Sequence, residues 1–333
     1  MTESHLITHL DAHIRLSPLD QGRWKVSVEA LNSGLYIHQS TCETSYSVDL
    51  IQKILDVTGP AFLCDEILRD ESPHYVQNFL YYDLLGYLDE EQFKNKTLLD
   101  FGCGSGASTM ILTRMFPHTR IMGVELEEKL LDVARARADY YGYSNLELLA
   151  SPGPNDLPPE AREMDFVVLS GVYEHLLPEE RKRLLPRIWK VIKPGGFLFL
   201  NQTPQRGFPL ERHTTGGLPF INYLPDAAAH WYARKFSKRN LEHASWVKML
   251  RMGIRGGSVK EIFRHLETSG LEPILLAPSR FGLKDRPDLW YIKYRNIGNP
   301  WINRSFHRAA KALKFLTGII LLPHLSLAIK KPD

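Results

Sequence analysis

The sequence predicts an α/β protein built on a doubly wound, mostly parallel sheet of seven strands. Three observations predict it. Between residues 96 and 202, short apolar runs alternate with amphipathic stretches of helical period. The first run ends in a glycine-rich turn, Asp100-Phe-Gly-Cys103-Gly-Ser-Gly106, just before a helical stretch. The second run ends in a carboxylate, Glu125.

Strand-like runs fall at Thr97–Phe101, Arg120–Val124, Leu146–Leu149, Phe166–Ser170 and Phe197–Asn201. Helical stretches lie between them at Ala107–Phe116, Glu127–Tyr141 and Pro178–Ile192. That rhythm implies right-handed crossovers and helices on both faces of a parallel sheet. The helix missing between the third and fourth strands is replaced by a loop. Pro152, Gly153, Pro154, Pro158 and Pro159 impose it.

Before this region, alternation in His13–Leu16 and Trp24–Val28 around the turn-like Ser17–Gly22 predicts a hairpin. Helices are expected at Val48–Val57 and Tyr75–Tyr87. After it, residues 203–257 break the alternation. Ser258–Ser269 resumes it as a helix, and Leu271–Ala277 and Leu289–Tyr294 read as the last two strands. The expected organisation is an N-terminal extension (1–95), a main domain (96–300) carrying a lid insertion (203–257), and an amphipathic C-terminal helix (301–333).

The chain has 333 residues, 44% hydrophobic and 24% charged, enough for a core of normal size. A net charge of +3 gives no global field for nucleic acid. The three cysteines, Cys42, Cys64 and Cys103, have no metal-ligand spacing and suit a reducing compartment. The first residues show no basic stretch followed by an apolar run, so a cytoplasmic enzyme is expected.

The glycine turn carries the chemistry. Gly102, Gly104 and Gly106 let the backbone turn tightly and approach a ligand, and the following helix points N–H groups at it. Glu125, 19 residues beyond Gly106, ends the next strand, where a carboxylate can accept both hydroxyls of a ribose. These features define a nucleoside site but do not choose the nucleoside. Gly102-x-Gly104-x-x-Ala107 also satisfies a loose dinucleotide fingerprint. Asp100 would repel a pyrophosphate but suits the ammonium of a methionyl group.

Downstream stand Asp165-Phe-Val-Val-Leu-Ser-Gly-Val-Tyr-Glu-His175 and Lys193-Pro-Gly-Gly196. With them the sequence resembles the class I S-adenosylmethionine-dependent methyltransferases, a Rossmann-like family, over about residues 96–201 and more loosely over 258–294. The resemblance implies S-adenosylmethionine as cofactor. It places Asp100 at the ammonium, Gly102, Cys103, Gly104 and Gly106 around the methionyl part, Glu125 on the ribose and Leu126 on the adenine. Ser170 and Gly171 would line the methionyl end. The family often has an acidic pair after the third strand; here Ala150-Ser151-Pro152-Gly153-Pro154-Asn155-Asp156 stands instead, with Ser151 or Asp156 as substitutes.

Methyl transfer from a sulfonium needs positioning and water exclusion, and a base only if the acceptor must lose a proton. His175 and His213 are the candidate bases, because both follow strand ends of the main sheet. Glu174 reads as a residue that orders the same junction. The insertion interleaves cations (Arg206, Arg212, Arg234, Lys235, Lys238, Arg239, Lys248, Arg251, Arg255) with aromatics such as Phe220, Tyr223 and Trp231. As a lid it suits an anionic or ring-bearing small molecule, with oxygen preferred as methyl acceptor and a lipid-linked or saccharide-type metabolite in range. RNA is the weaker substrate class, because no Asn-Pro-Pro-Tyr-like element follows the fourth strand. A nicotinamide-dependent oxidoreductase and a non-catalytic cofactor-binding protein are the other competing readings.

In the tail, Arg304, Arg308, Lys311 and Lys314 form one stripe. Phe306, Ala309, Ala310, Leu313, Leu316 and Ile320 form the other face. The apolar Phe315–Ile329 contains Pro323 and is too short to span a bilayer. It docks on protein, or it lies on the inner membrane surface as a peripheral contact.

Overall fold

A computed structural model describes residues 4–31, 36–267 and 272–333. The last two residues of the expected helix Ser258–Ser269, and Leu271 at the start of the expected strand, lie outside the described residues. Thirteen strands and eleven α-helices are assigned among the described ones. Seven strands form one sheet in the order β12-β13-β9-β8-β5-β6-β7, where β5 is Thr97–Phe101, β6 Arg120–Glu125, β7 Leu146–Ala150, β8 Met164–Ser170, β9 Ile192–Pro204, β12 Ile274–Leu275 and β13 His324–Lys330. The chain divides into two compact units.

The first unit comprises residues 1–80, 103–117 and 121–150. Its antiparallel sheet runs β1 (His5–Thr8), β2 (Ala12–Pro18), β3 (Trp24–Ala30), β4 (Thr41–Thr44). The hairpin expected from alternation is β2–β3. Ala12, Ile14 and Leu16 alternate inward, while His13 and Arg15 face solvent. This face packs on α1 (Val48–Thr58) and α2 (Leu63–Glu71) through Ile51, Ile54, Leu63 and Ile67. The Ser47 hydroxyl starts α1 by accepting the Leu50 N–H. α2 was not expected, because its four acids and one arginine mask a short apolar stripe. Spacing gave Cys42 and Cys64 no relation, yet the fold buries these two free thiols near enough for Cys64 to help push the Cys42 pKa up. The same unit holds α4 (Ala107–Met115), α5 (Glu128–Tyr141) and the parallel pair β6–β7.

The second unit comprises residues 81–102, 118–120 and 151–333. Parallel β5, β8 and β9 form its centre, with Leu98, Leu99, Val167, Val168, Leu198 and Phe199 fully buried. Burial on both faces explains why these strands read as unbroken apolar runs. Residues 151–163 form the expected loop, and α6 (Pro178–Val191) starts with Pro178 in its first turn.

Two expectations fail at the end of the sheet. Leu289–Tyr294 is not a strand but the latter part of α10 (Arg286–Tyr294). Asp285 caps that helix by accepting the Asp288 N–H, and Pro287 sits in its first turn. The seventh strand is instead β13, taken from the segment read as a helical tail. The helix of the tail, α11 (Pro300–Thr317), stops at Gly318 in the left-handed conformation, so no single helix covers 301–333. Leu325, Leu327, Ala328 and Ile329 are buried in β13, which runs antiparallel to β9 and to β12. The Lys331 ammonium donates to the carbonyls of Trp189 and Ile192, capping the end of α6.

The basic stripe expected on α11 is divided. Lys311 and Lys314 turn to Asp285 and Asp288, while Phe315 is 89% exposed and Leu316 77% exposed. Among the described residues no helix is long and apolar enough to cross a membrane.

The insertion contains β10 (Leu210–Glu211), β11 (Leu218–Pro219), α7 (Asp226–Phe236) and α8 (Trp246–Arg251), closed on a core of its own that includes Ile221, Ala229, Ala233 and Met249. Arg255 belongs to that core. Its guanidinium donates to the carbonyls of Ile221, Asn222 and Leu224 and to Asp226. The remaining helices are α3 (Val76–Leu85) and α9 (Val259–Glu267), the latter against α6.

Candidate active site

In the first unit, the turn after β5 is held from three sides. Gly104 and Gly106 both take positive φ, at 57° and 84°. The Gly104 N–H donates to Glu125 Oε2 at 2.7 Å. Glu125 Oε1 accepts the N–H groups of Leu126 (2.7 Å) and Glu127 (3.0 Å), so backbone donors orient both oxygens. A carboxylate oxygen carries two lone pairs, so Oε1 is filled and Oε2 keeps one for a further donor. Leu126, 49% exposed, presents an apolar surface beside it. A Cβ at Gly104 would meet nothing within 4 Å, whereas one at Gly106 would lie 2.7 Å from Ala134 Cβ. Gly106 therefore packs the turn onto α5, and Gly104 leaves open space. Cys103 is buried, its N–H donating to the Val124 carbonyl.

Sequence reasoning missed the support behind this turn. Ser105 donates its hydroxyl to Glu66 Oε2, and the buried Arg137 guanidinium donates to the Ser105 carbonyl and hydroxyl and to the Glu66 carbonyl. An arginine on a helix ordinarily reads as solvated, so the pattern carried no signal.

In the second unit, Asp100 is buried at the end of β5. Gly102 has φ 73°, and a Cβ there would lie 2.8 Å from a Val172 methyl. Ser170 is in register with Asn201, whose carbonyl accepts the Gly171 N–H. The Asn201 side chain is fully buried, and neither end of its amide has a partner among the described residues. Ser151 donates to the carbonyls of Gly153 and Asp156, which shapes its own loop. Asp156 pairs with Arg187.

The same unit brings Glu174, His175 and His213 together. One ligand atom from each lies within 4.8 Å of the others. Glu174 is buried and accepts the Thr203 hydroxyl at Oε2, 2.7 Å away. His175 Nδ1 stands 2.7 Å from the Arg251 carbonyl and His213 Nδ1 2.9 Å from the Met252 carbonyl. A carbonyl can only accept, so each ring carries a proton on Nδ1 and turns Nε2 elsewhere. Glu211 folds the His213 loop by accepting the N–H groups of Thr214 and Thr215. Arg251 is fixed by two bonds to Glu180. Burial pushes the His213 pKa below its usual value against the opposing pull of the Glu174 charge, so the ring is neutral near pH 7. The sequence offered both histidines and read Glu174 as structural; the fold makes it the third member of their cluster.

His213 also lines a cavity of about 510 Å³ inside this unit, with Arg206, Arg212, Trp290, Tyr294 and His324. That volume suits a small molecule. Of the insertion's cations, Arg206 and Arg212 reach the cavity, while Arg251 and Arg255 hold the fold.

Residues 98–196 match the methyltransferase-domain family. A ribosomal protein L11 methyltransferase of Shewanella woodyi is 30% identical over 117 residues, 35% of this chain and 37% of that protein. A trans-aconitate 2-methyltransferase of Paracidovorax citrulli is 27% identical over 136 residues, 40% of this chain and 49% of that protein. Among solved structures, PigF with SAH is similar at a TM-score of 0.44 and 17% identity, covering 69% of this chain and 58% of that one. The chain spans between about a third and a half of the length of these curated relatives.

Proposed function

We propose that this chain, whose residues 98–196 match a methyltransferase-domain family, is a class I S-adenosylmethionine-dependent enzyme that methylates an oxygen of a small anionic acceptor. The observation that carries the choice of acceptor is the cavity bearing His213, Arg206 and Arg212. Two guanidiniums in one small cavity favour an anionic group, and Trp290 and Tyr294 offer ring surfaces.

The residues of the turn fit the cofactor on local grounds. Gly104 leaves space where a side chain would intrude, and Glu125 is oriented with one lone pair of Oε2 to spare for a ribose hydroxyl. Leu126 supplies an apolar surface for the adenine. The resemblance to the family also assigns Asp100, Gly102, Cys103, Gly106, Ser151, Ser170 and Gly171 to this cofactor. The unpartnered Asn201 amide gives the second unit a buried donor and acceptor for a polar ligand.

When bound, the cofactor supplies a methyl group already activated on a sulfonium. The protein's task is then to align the acceptor, exclude water and take up a proton. Neutral His213, its Nδ1–H anchored on Met252, has Nε2 free to receive that proton, and His175 is the second candidate.

Calorimetry with S-adenosylmethionine and with NAD is the first test, and binding of NAD alone would sink the reading. Incubation of labelled cofactor with cell extract, followed by mass spectrometry of the labelled product, then identifies the acceptor. Label found only in RNA or protein would overturn the small-molecule assignment. Cofactor binding without any transferred label would make the chain a binding protein.

A further inference from the structure

The geometry points to a divalent transition-metal site formed by Glu174, His175 and His213 in the second unit. Three donors of the types that bind such ions converge there: a buried carboxylate and two imidazoles, with one ligand atom of each inside 4.8 Å. Both rings are held in one tautomer by successive backbone carbonyls, those of Arg251 and Met252. That arrangement directs each Nε2 away from the backbone and is how ligating histidines are ordinarily oriented. Thr203 holds Glu174 by Oε2, and Glu174 Oε1 lies 4.0 Å from His175 Nε2.

The backbone is fitted to the cluster as well. Gly253 has φ 90°, and a Cβ there would lie 2.8 Å from His213 Nδ1 and 3.1 Å from Glu174 Cγ. The turn that supplies both anchoring carbonyls therefore approaches closer than any side chain would permit.

Donors bound to one metal at about 2.0–2.2 Å stand roughly 3–4 Å apart. The cluster closes to that spacing by side-chain shifts of about an ångström. Two nitrogens and one oxygen suit Zn²⁺, Mn²⁺, Fe²⁺ or Co²⁺ better than Mg²⁺ or Ca²⁺, which prefer all-oxygen shells. Three protein ligands leave positions open, and His213 borders the cavity. An acceptor oxygen from that cavity could fill one of them; in that state His213 Nε2 would be a ligand rather than the base, and the metal would lower the acceptor's pKa in its place. The existence of the site does not depend on the methyltransferase reading; only that last role rests on it.

The test uses the full chain without a polyhistidine tag, stripped with chelator and titrated with Zn²⁺, Mn²⁺ or Mg²⁺ by calorimetry. The expected result is one Zn²⁺ or Mn²⁺ per chain at micromolar affinity or better, and at least about 30-fold weaker Mg²⁺. His213→Ala and Glu174→Gln should each weaken Zn²⁺ by about 10- to 100-fold. Should either variant unfold, the visible spectrum of the unmodified chain with Co²⁺ replaces it, with absorption bands of a nitrogen- and oxygen-ligated ion expected. No saturable metal binding, or a Co²⁺ spectrum unchanged from the aqueous ion, overturns the site. Metal binding with no methyl transfer would instead fault the activity, and methyl transfer unaffected by chelation would overturn only the metal's contact with the acceptor.

Discussion

The guanidinium of Arg137 donates a hydrogen bond to the carbonyl of Ser105 at 3.0 Å, joining α5 to the middle of the glycine turn. Arg137 is fully buried, and the same group reaches the carbonyl and carboxylate of Glu66 on α2. Breaking such a network takes the guanidinium from the carbonyls of Ser105 and Glu66 and removes a charge partner of the Glu66 carboxylate. Arg137→Met should cost about 3 kcal/mol in denaturant unfolding and weaken S-adenosylmethionine about tenfold. A loss below about 0.5 kcal/mol, the scale of an ordinary surface change, would show that the network is dispensable.

Gly104 and Gly106 separate binding from stability. Both have positive φ, so alanine at either costs about 1 kcal/mol of backbone strain. At Gly106 the new Cβ also meets Ala134 at 2.7 Å, adding about 1–3 kcal/mol. Thermal unfolding should therefore rank Gly106→Ala well below Gly104→Ala. Cofactor affinity, measured by calorimetry, should fall for Gly104→Ala by more than its small stability loss explains. Equal melting temperatures for the two variants would contradict this packing.

His324 makes stability depend on pH. Burial is the main cause that lowers its pKa to about 4, assisted by the positive Lys293 and Arg212 and, once it is protonated, by His213. The unfolded chain binds a proton there near pH 6.5. Between those two values the unfolded state holds more protons, so stability is full above about pH 6.5 and falls as pH drops toward about 4. The contribution is at most about 3 kcal/mol. His324→Asn, which keeps an acceptor for the Tyr294 hydroxyl, should flatten that part of the curve. Identical acid limbs for the two proteins would exclude His324 as their source.

The tail is tested by two changes with opposite outcomes. Leu327 in β13 is fully buried, so Leu327→Ala should cost about 2–5 kcal/mol. Phe315 on α11 is almost fully exposed, so Phe315→Ser should stay within about 0.5 kcal/mol. A reversed order would restore a tail whose apolar end faces away from solvent and whose last segment does not.

Legibility in the sequence followed burial. The central parallel strands were readable because Leu98–Leu99, Val167–Leu169 and Leu198–Leu200 are buried on both faces, which leaves no polar alternation to blur the run. The C-terminal part was not. Leu289-Trp-Tyr-Ile-Lys-Tyr294 is rich in strand formers, and its helix is set by a distant need: buried Lys293 meets buried Asp83 at 2.5 Å. His324–Lys330 looked like a continuation of a helix because helix and strand patterns coincide in short apolar runs. At the candidate site, individual residues were legible but their convergence was not. His175 and His213 were visible as loop histidines; nothing local announces that Arg251 and Met252 would anchor both rings beside Glu174.

The lateness of β13 in the chain has a consequence for biosynthesis. Lys331 bonds to Trp189 across 142 residues, and β13 pairs along β9 over a similarly long interval. As the polypeptide emerges, β9 is made long before the strand that covers its flank. Until residues 324–330 arrive, that flank presents unpaired backbone groups and apolar side chains to any neighbouring nascent chain. The vulnerable period is therefore set by the time needed to translate the insertion, α10 and α11, and chaperone demand should fall on that interval.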